Sequence, residues 1–129
     1  MDHPFAELLD MQVQEQRDGR SRMSLVVAPA HLNPHQVVHG AVLYALADTG
    51  MGLALYPSLA DGEICATIEI KINYFKPVSA GVLNCVTQVV NRGRTVANLD
   101  SRLYIGETLV AQANGNYAIF KPSSRLPGG

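Results

Sequence analysis

An apolar segment at residues 37–56 constrains the fold of this chain more than any other feature. Its only charged side chain is Asp48, which is also the only Asp, Glu, Lys or Arg within residues 23–60. Apolar residues occupy almost the whole helical circumference, which predicts a helix over about 39–55 that other elements surround. The segment approaches transmembrane length, but Asp48, three glycines and Pro57 favour a helix in a protein core.

Asp48 is the first candidate functional residue. A lone carboxylate in such a helix loses solvation when the helix is buried, and this costs several kcal/mol unless a partner compensates. The acid could simply cap a nearby element or pair with a distant Arg. Its apolar surroundings favour a desolvated general acid, general base or nucleophile.

Composition bounds the class of protein. The chain has 129 residues, enough for one domain with a real core, and its low charged content of 16% predicts that surface is buried in an oligomer. The net charge of −1 gives the chain no general electrostatic attraction to nucleic acid or to an anionic membrane. Cys65 and Cys85 lack metal-ligand spacing and are expected in the core, without zinc or a disulfide framework. No signal peptide is recognisable at the start, so the expected location is cytoplasmic.

The remaining patterns predict one sheet. A short helix at 5–9 precedes two strands, 11–17 and 20–27, joined by an Asp18-Gly19 turn. Four further strands, expected to meander, follow the helix at 64–75, 82–90, 95–105 and 109–120. In the first of them Ala66, Ile68, Ile70, Ile72 and Tyr74 share one face, and Thr67, Glu69, Lys71 and Asn73 share the other. We predict a single α+β domain over 1–129, with a core at about 8–120, a flexible tail at 121–129, and one antiparallel sheet curled around the helix.

The start of the central helix offers a second chemical feature. Its first backbone N–H groups lack partners and carry partial positive charge, and Gly40 has no side chain to obstruct them, so they could bind an oxyanion. Asp48 lies eight residues further on, about 12 Å along the axis. Gly40 and Asp48 of one helix therefore cannot meet at one reacting carbon. If both act, the site is shared between subunits of an obligate dimer.

Each of these residues also has a structural interpretation. Gly40 could be an ordinary helix-start glycine, and His39 a structural histidine. Asn33, which precedes a proline, could only form a turn. Thr67 could be solvated on a polar strand face. Their order and spacing together are more specific than any one of them.

That order resembles a known family. The stretch Asn33-Pro34-His35-Gln36-Val37-Val38-His39-Gly40-Ala41 and the later Leu46-Ala47-Asp48 resemble the signature of hotdog-fold acyl-CoA thioesterases of the phenylacetate-pathway (PaaI) type. The family signature is an Asn, a short loop, His-Gly-Gly and an acid eight residues after the first Gly. Residues 72–77, Ile-Asn-Tyr-Phe-Lys-Pro, resemble its strand-end motif, and residues 91–95, Asn-Arg-Gly-Arg-Thr, its basic turn.

The resemblance implies a hotdog fold and hydrolysis of an acyl- or aryl-acyl-CoA without metal or cofactor. Gly40 N–H, helped by Asn33 and with His39 beside it in the motif, would polarise the carbonyl. Asp48 of the facing subunit would activate water or attack directly, and Thr67 would hold that water. The coenzyme A path would be lined by Tyr74, Phe75, Lys76, Pro77, Asn91, Arg92, Gly93, Arg94, Thr95 and Val96. The protein would be a homodimer, with dimers pairing into a homotetramer.

Two departures and two other functions stay open. Gln36 stands where the family often has Gly, and Ala41 replaces the second Gly of the motif, where its methyl could narrow the acyl pocket. Lys76, Arg92 and Arg94 could be solvated turn charges rather than phosphate ligands.

A hotdog hydratase or dehydratase is one competing function, although His31 and Gln36 stand where its acid and His belong. A non-catalytic acyl-CoA-binding protein is the other.

Overall fold

The computed structural model describes residues 3–122, and in them one six-stranded antiparallel sheet curves around one long helix. The helices are α1 (Pro4–Leu9) and α2 (Gly40–Leu55), with single 3-10 turns at Pro29–His31 and Tyr56–Ser58. The strands are β1 (Met11–Arg17), β2 (Arg20–Val26), β3 (Ile64–Tyr74), β4 (Val82–Arg92), β5 (Val96–Ile105) and β6 (Thr108–Phe120). The predicted α+β hotdog fold is confirmed. Of the predicted tail, residues 123–129 lie outside the described residues.

Local chemistry sets the element ends. Gly19 has a φ of 80° in the tight turn between β1 and β2, a conformation that glycine adopts without strain. At the start of α2 the ring Nδ1 of His39 accepts a hydrogen bond from the backbone N–H of Ala41, at 2.9 Å. Pro57 lies in the 3-10 turn that directly follows the helix. Within residues 3–122, no helix is long and apolar enough to span a membrane.

The core lies between α2 and the inner face of the sheet. The helix contacts all six strands, as its nearly all-round apolar sequence predicted. Leu46, Met51 and Leu55 of α2 are fully buried, and so are Leu83, Leu99 and Leu103 on the strands. The side of α2 that the sheet leaves open carries Asp48, which is half-buried.

The sheet order corrects the predicted meander. The strands lie in the order β1-β2-β4-β5-β6-β3, so only β4, β5 and β6 follow one another as neighbours. The strand that follows α2, β3, lies at the far edge and pairs with β6. Strands pair through their backbone groups, so the side-chain pattern of a strand does not determine which strand lies beside it.

The predicted faces of β3 were wrong over its first half. The pairing of β3 with β6 shifts between Thr67 and Glu69, which leaves Ile68 without a partner, as in a β-bulge. Before the shift, Thr67 points at α2, whereas after it Ile70 does. Ile68 is consequently 55% exposed.

Candidate active site

The Asp48 carboxylate is held by two hydroxyl groups. Thr67 Oγ1 on β3 donates a hydrogen bond to Asp48 Oδ1 at 2.9 Å. The hydroxyl of Tyr117 on β6 also contacts Oδ1, and it lies 2.8 Å from the backbone carbonyl of Asp48, so its one proton is shared between the two acceptors. Thr67 and Tyr117 are directly opposed in the β3–β6 register. The bulge in β3 therefore brings Thr67 onto the carboxylate.

Asp48 lines a cavity of about 660 Å³ on the open side of α2. One wall consists of α1 and β1, and the other of β3 and β6, because the curved sheet places its two edge strands on either side of the helix. The lining is mostly apolar, and among the described residues that form it Asp48 is the only carboxylate. The residues are His3, Phe5, Val13, Gln16, Ala45, Asp48, Thr49, Gly52, Leu53, Tyr56, Cys65, Ala66, Thr67 and Tyr117.

Gly40 lies at a second, smaller cavity of about 380 Å³ at the other end of α2. The Tyr74 hydroxyl donates to the Gly40 carbonyl at 2.8 Å, and a Cβ at position 40 would lie 3.1 Å from the Tyr74 ring. A side chain at position 40 would therefore require the half-exposed Tyr74 ring to shift by a few tenths of an ångström. Among residues 3–122, the Gly40 N–H has no hydrogen-bond acceptor.

The loop before α2 is held by the oxygen of the Asn33 side-chain amide. Its Oδ1 accepts hydrogen bonds from the backbone N–H groups of His35, at 2.8 Å, and Val37, at 3.4 Å. This leaves the amide NH₂ as the group that could reach a substrate oxygen. Gln36 has a φ of 65°, a left-handed conformation that favours glycine, so the departure at this position stores strain. Ala41 is exposed and lines neither cavity.

The residues predicted for coenzyme A fall into two separate groups. Tyr74, Phe75, Lys76 and Pro77 line the smaller cavity together with Gly40, at the start of α2. The turn at 91–96 lies at the opposite end, beside the 3-10 turn that follows α2. A helix of 16 residues separates the two ends by about 24 Å. Within one chain the predicted residues thus form two half-sites.

Most of the hydrogen-bond donors of Arg92 are used in contacts within the chain. Its guanidinium donates to Ser58 Oγ and to Ser58 O, both at 3.0 Å, and to Gly93 O at 2.6 Å. Its NH2 lies 3.5 Å from Glu63 Oε1. Arg92 therefore ties β4 to the end of α2, and few of its donors remain for a phosphate. Arg94 is exposed, with no side-chain hydrogen bond or ion pair within the described residues.

Tyr117 is the main residue that the sequence analysis missed. It follows Ala111, Ala113 and Gly115 on the inner face of β6, where one large polar side chain among small ones was the available signal. The cavity walls from α1 and β1 were missed as well, because those elements are remote from the motif along the chain. Within residues 3–122, no group of three or more His, Cys, Asp or Glu side chains could hold a metal ion.

Comparison with known proteins identifies the class. The model of the thioesterase superfamily matches residues 35–112, which include Gly40, Asp48 and Thr67. The chain belongs to this superfamily, and its resemblance to PaaI-type hotdog thioesterases is confirmed.

Individual relatives narrow the comparison. A protein of Archaeoglobus fulgidus, provisionally named an esterase, is 35% identical over 70% of this chain and 58% of its own length. The chain thus spans less than two thirds of that relative. The acyl-coenzyme A thioesterase PaaI of Escherichia coli is 26% identical over 96% of this chain and 83% of its own. A variant of the phenylacetic acid degradation protein PaaI of Thermus thermophilus superposes with a TM-score of 0.84 at 28% identity, covering 90% of this chain and 98% of that one.

Proposed function

We propose that the protein hydrolyses an acyl- or aryl-acyl-CoA thioester to the free acid and coenzyme A. The observation that carries this proposal is the Asp48 carboxylate, held on Oδ1 by Thr67 and Tyr117 at the wall of a mainly apolar cavity. Asp48 acts as general base toward water or as the nucleophile. The cavity of about 660 Å³ has the size of a small-molecule site and takes the acyl group.

The proposed active site is completed by a second subunit. Gly40 with its free N–H and Asn33 with its amide donors belong to one half-site, and Asp48 with Thr67 belongs to the other. An antiparallel pair of α2 helices from two copies would bring unlike half-sites together, so that the Gly40 N–H polarises the carbonyl. The two groups predicted to line the coenzyme A path would meet in the same way.

The edge of the sheet supports this dimer. The edge strand β3 presents unpaired backbone groups, which are a ready surface for pairing with another chain. Exposed apolar side chains follow this edge: Ile64, Ile68, Tyr74 and Phe75 are 41 to 55% exposed. Such a row favours burial against a second copy.

The first test is Asp48→Asn in a free-thiol assay over a panel of acyl-CoA esters. Asn keeps the shape and can still accept both hydroxyl hydrogen bonds, but it is neither base nor nucleophile. We expect kcat/KM to fall by about 10²–10⁴-fold. The matched control is Asp61→Asn, which changes an exposed carboxylate in a loop. Wild-type activity in Asp48→Asn would refute the role of Asp48, and absence of thiol release by the wild type would favour a hydratase or a binding protein.

The shared site has its own test. Asp48→Asn and Asn33→Ala, each inactive alone, should recover activity when their subunits exchange. In an equal random mixture about a quarter of the sites would have two intact halves. No recovery after exchange has been verified by mass spectrometry would show that each site lies within one chain.

A further inference from the structure

Tyr117 makes a two-point contact with Asp48 that no other residue makes within the described chain. Its single hydroxyl proton lies between two acceptors of that residue, the side-chain Oδ1 and, at 2.8 Å, the backbone carbonyl, in a three-centre hydrogen bond. The ring is 3% exposed, so the hydroxyl has little competition from water. A side chain anchored relative to its own backbone has a fixed rotamer.

The two oxygens of the carboxylate are treated differently. Oδ1 accepts from both Tyr117 and Thr67, whereas none of the hydrogen bonds among residues 3–122 uses Oδ2. The oxygen left for a reactant is therefore Oδ2.

We infer that Tyr117 is a positioning residue for the hydrolysis proposed above, holding Asp48 so that Oδ2 is the reacting oxygen. This inference rests on the proposed function and adds a residue to it. Two features of the fold bring the two hydroxyl donors to Asp48. The small residues on the inner face of β6 let α2 approach closely: a Cβ at Gly115 would lie 2.8 Å from Met51 Sδ. The β3 bulge adds Thr67 to the same oxygen.

The protonation of Tyr117 supports a constant donor role. Burial, and then the hydrogen bond to Asp48, raise the pKa of Tyr117 far above its usual value. The phenol therefore stays protonated at any pH at which the enzyme would work. The other titratable groups among the described residues around the cavity are His3 before α1, Tyr56 after α2 and Cys65 on β3.

The test is Tyr117→Phe, which removes the hydroxyl and keeps the ring. Loss of one hydrogen bond to a charged group corresponds to about a tenfold effect. We expect kcat to fall about tenfold with little change in KM, because the hydroxyl positions Asp48 and does not bind the substrate. Tyr104→Phe, on β5 and outside both cavities, should leave kcat and KM unchanged.

A second variant keeps the inference testable if Tyr117→Phe folds poorly. Site-specific replacement of Tyr117 by 3-fluorotyrosine keeps the size and the hydroxyl donor, so kcat and KM should stay at the wild-type values. Wild-type kcat in a folded Tyr117→Phe variant, or a tenfold lower kcat in the 3-fluorotyrosine variant, would overturn the inference. Either outcome requires an active wild type, so it is distinct from a wild type that releases no thiol, which refutes the proposed function itself.

Discussion

Two glycines of α2, only two residues apart, should respond in opposite ways to alanine. In both variants the helix gains about 1 kcal/mol from the better helix propensity of alanine. A Cβ at Gly52 would meet nothing within 4 Å. A Cβ at Gly50 would lie 2.8 Å from Thr87 Oγ1, with Ser21 Oγ at 3.5 Å and Cys85 Sγ at 3.7 Å. The difference between the two variants therefore isolates packing from propensity.

Thr87 has little freedom to move away from such a Cβ. It is fully buried, and its hydroxyl shares a hydrogen bond of 2.7 Å with the fully buried Ser101. Rotating Thr87 would break that bond, which costs about 1–3 kcal/mol, and overpacking adds about 1–3 kcal/mol. After the propensity gain, Gly50→Ala should lower the free energy of unfolding by about 1–5 kcal/mol, whereas Gly52→Ala should raise it by about 1 kcal/mol.

Urea unfolding followed by circular dichroism measures both values, and thermal unfolding should show a gain of about 4 °C for Gly52→Ala. Thr87→Ala removes the blocking hydroxyl and serves as the partner in a double-mutant cycle. In that background Gly50→Ala should become stabilising. Equal stabilisation by alanine at both positions in the wild-type background would refute the packing argument.

Four further outcomes are expected. Burial raises the pKa of the Cys85 thiol from 9.0 to about 11. The folded state thus holds the thiol proton more tightly than the unfolded state does. The stability that the protonated thiol contributes is therefore full below pH 9. The stability difference between wild type and Cys85→Ala should therefore fall by about 2 kcal/mol as the pH rises from 9 to 11 in urea unfolding. Gln36→Gly should raise the free energy of unfolding by up to about 1 kcal/mol, since it relieves the left-handed strain, and a loss of stability would contradict this. Arg92→Ala should lower the melting temperature, because its contacts with Ser58 are lost. Arg94→Ala should leave the melting temperature unchanged but raise KM for full coenzyme A esters at low salt, and an unchanged KM would exclude it as a phosphate ligand.

The sequence by itself determined the elements and the candidate acid. Periodicity and turn chemistry placed α2 and all six strands to within about two residues, because both are local properties of the chain. The isolation of Asp48 in an apolar helix marked it as a candidate functional residue, and its spacing from Gly40 predicted a site divided between two subunits. Both follow from helix geometry and the cost of burying a charge.

Only the tertiary structure decided which groups meet Asp48. Tyr117 is 69 residues away along the chain, and it reaches the carboxylate because β6 pairs with β3. Thr67 points at Asp48 because a bulge shifts the register of β3, and an alternating pattern does not reveal an inserted residue. Two chemically identical glycines in α2 likewise differ only in what packs against them. Pairing, register and packing depend on contacts between distant segments, and for this reason the fold, and not the local sequence, assembles the environment of the acid.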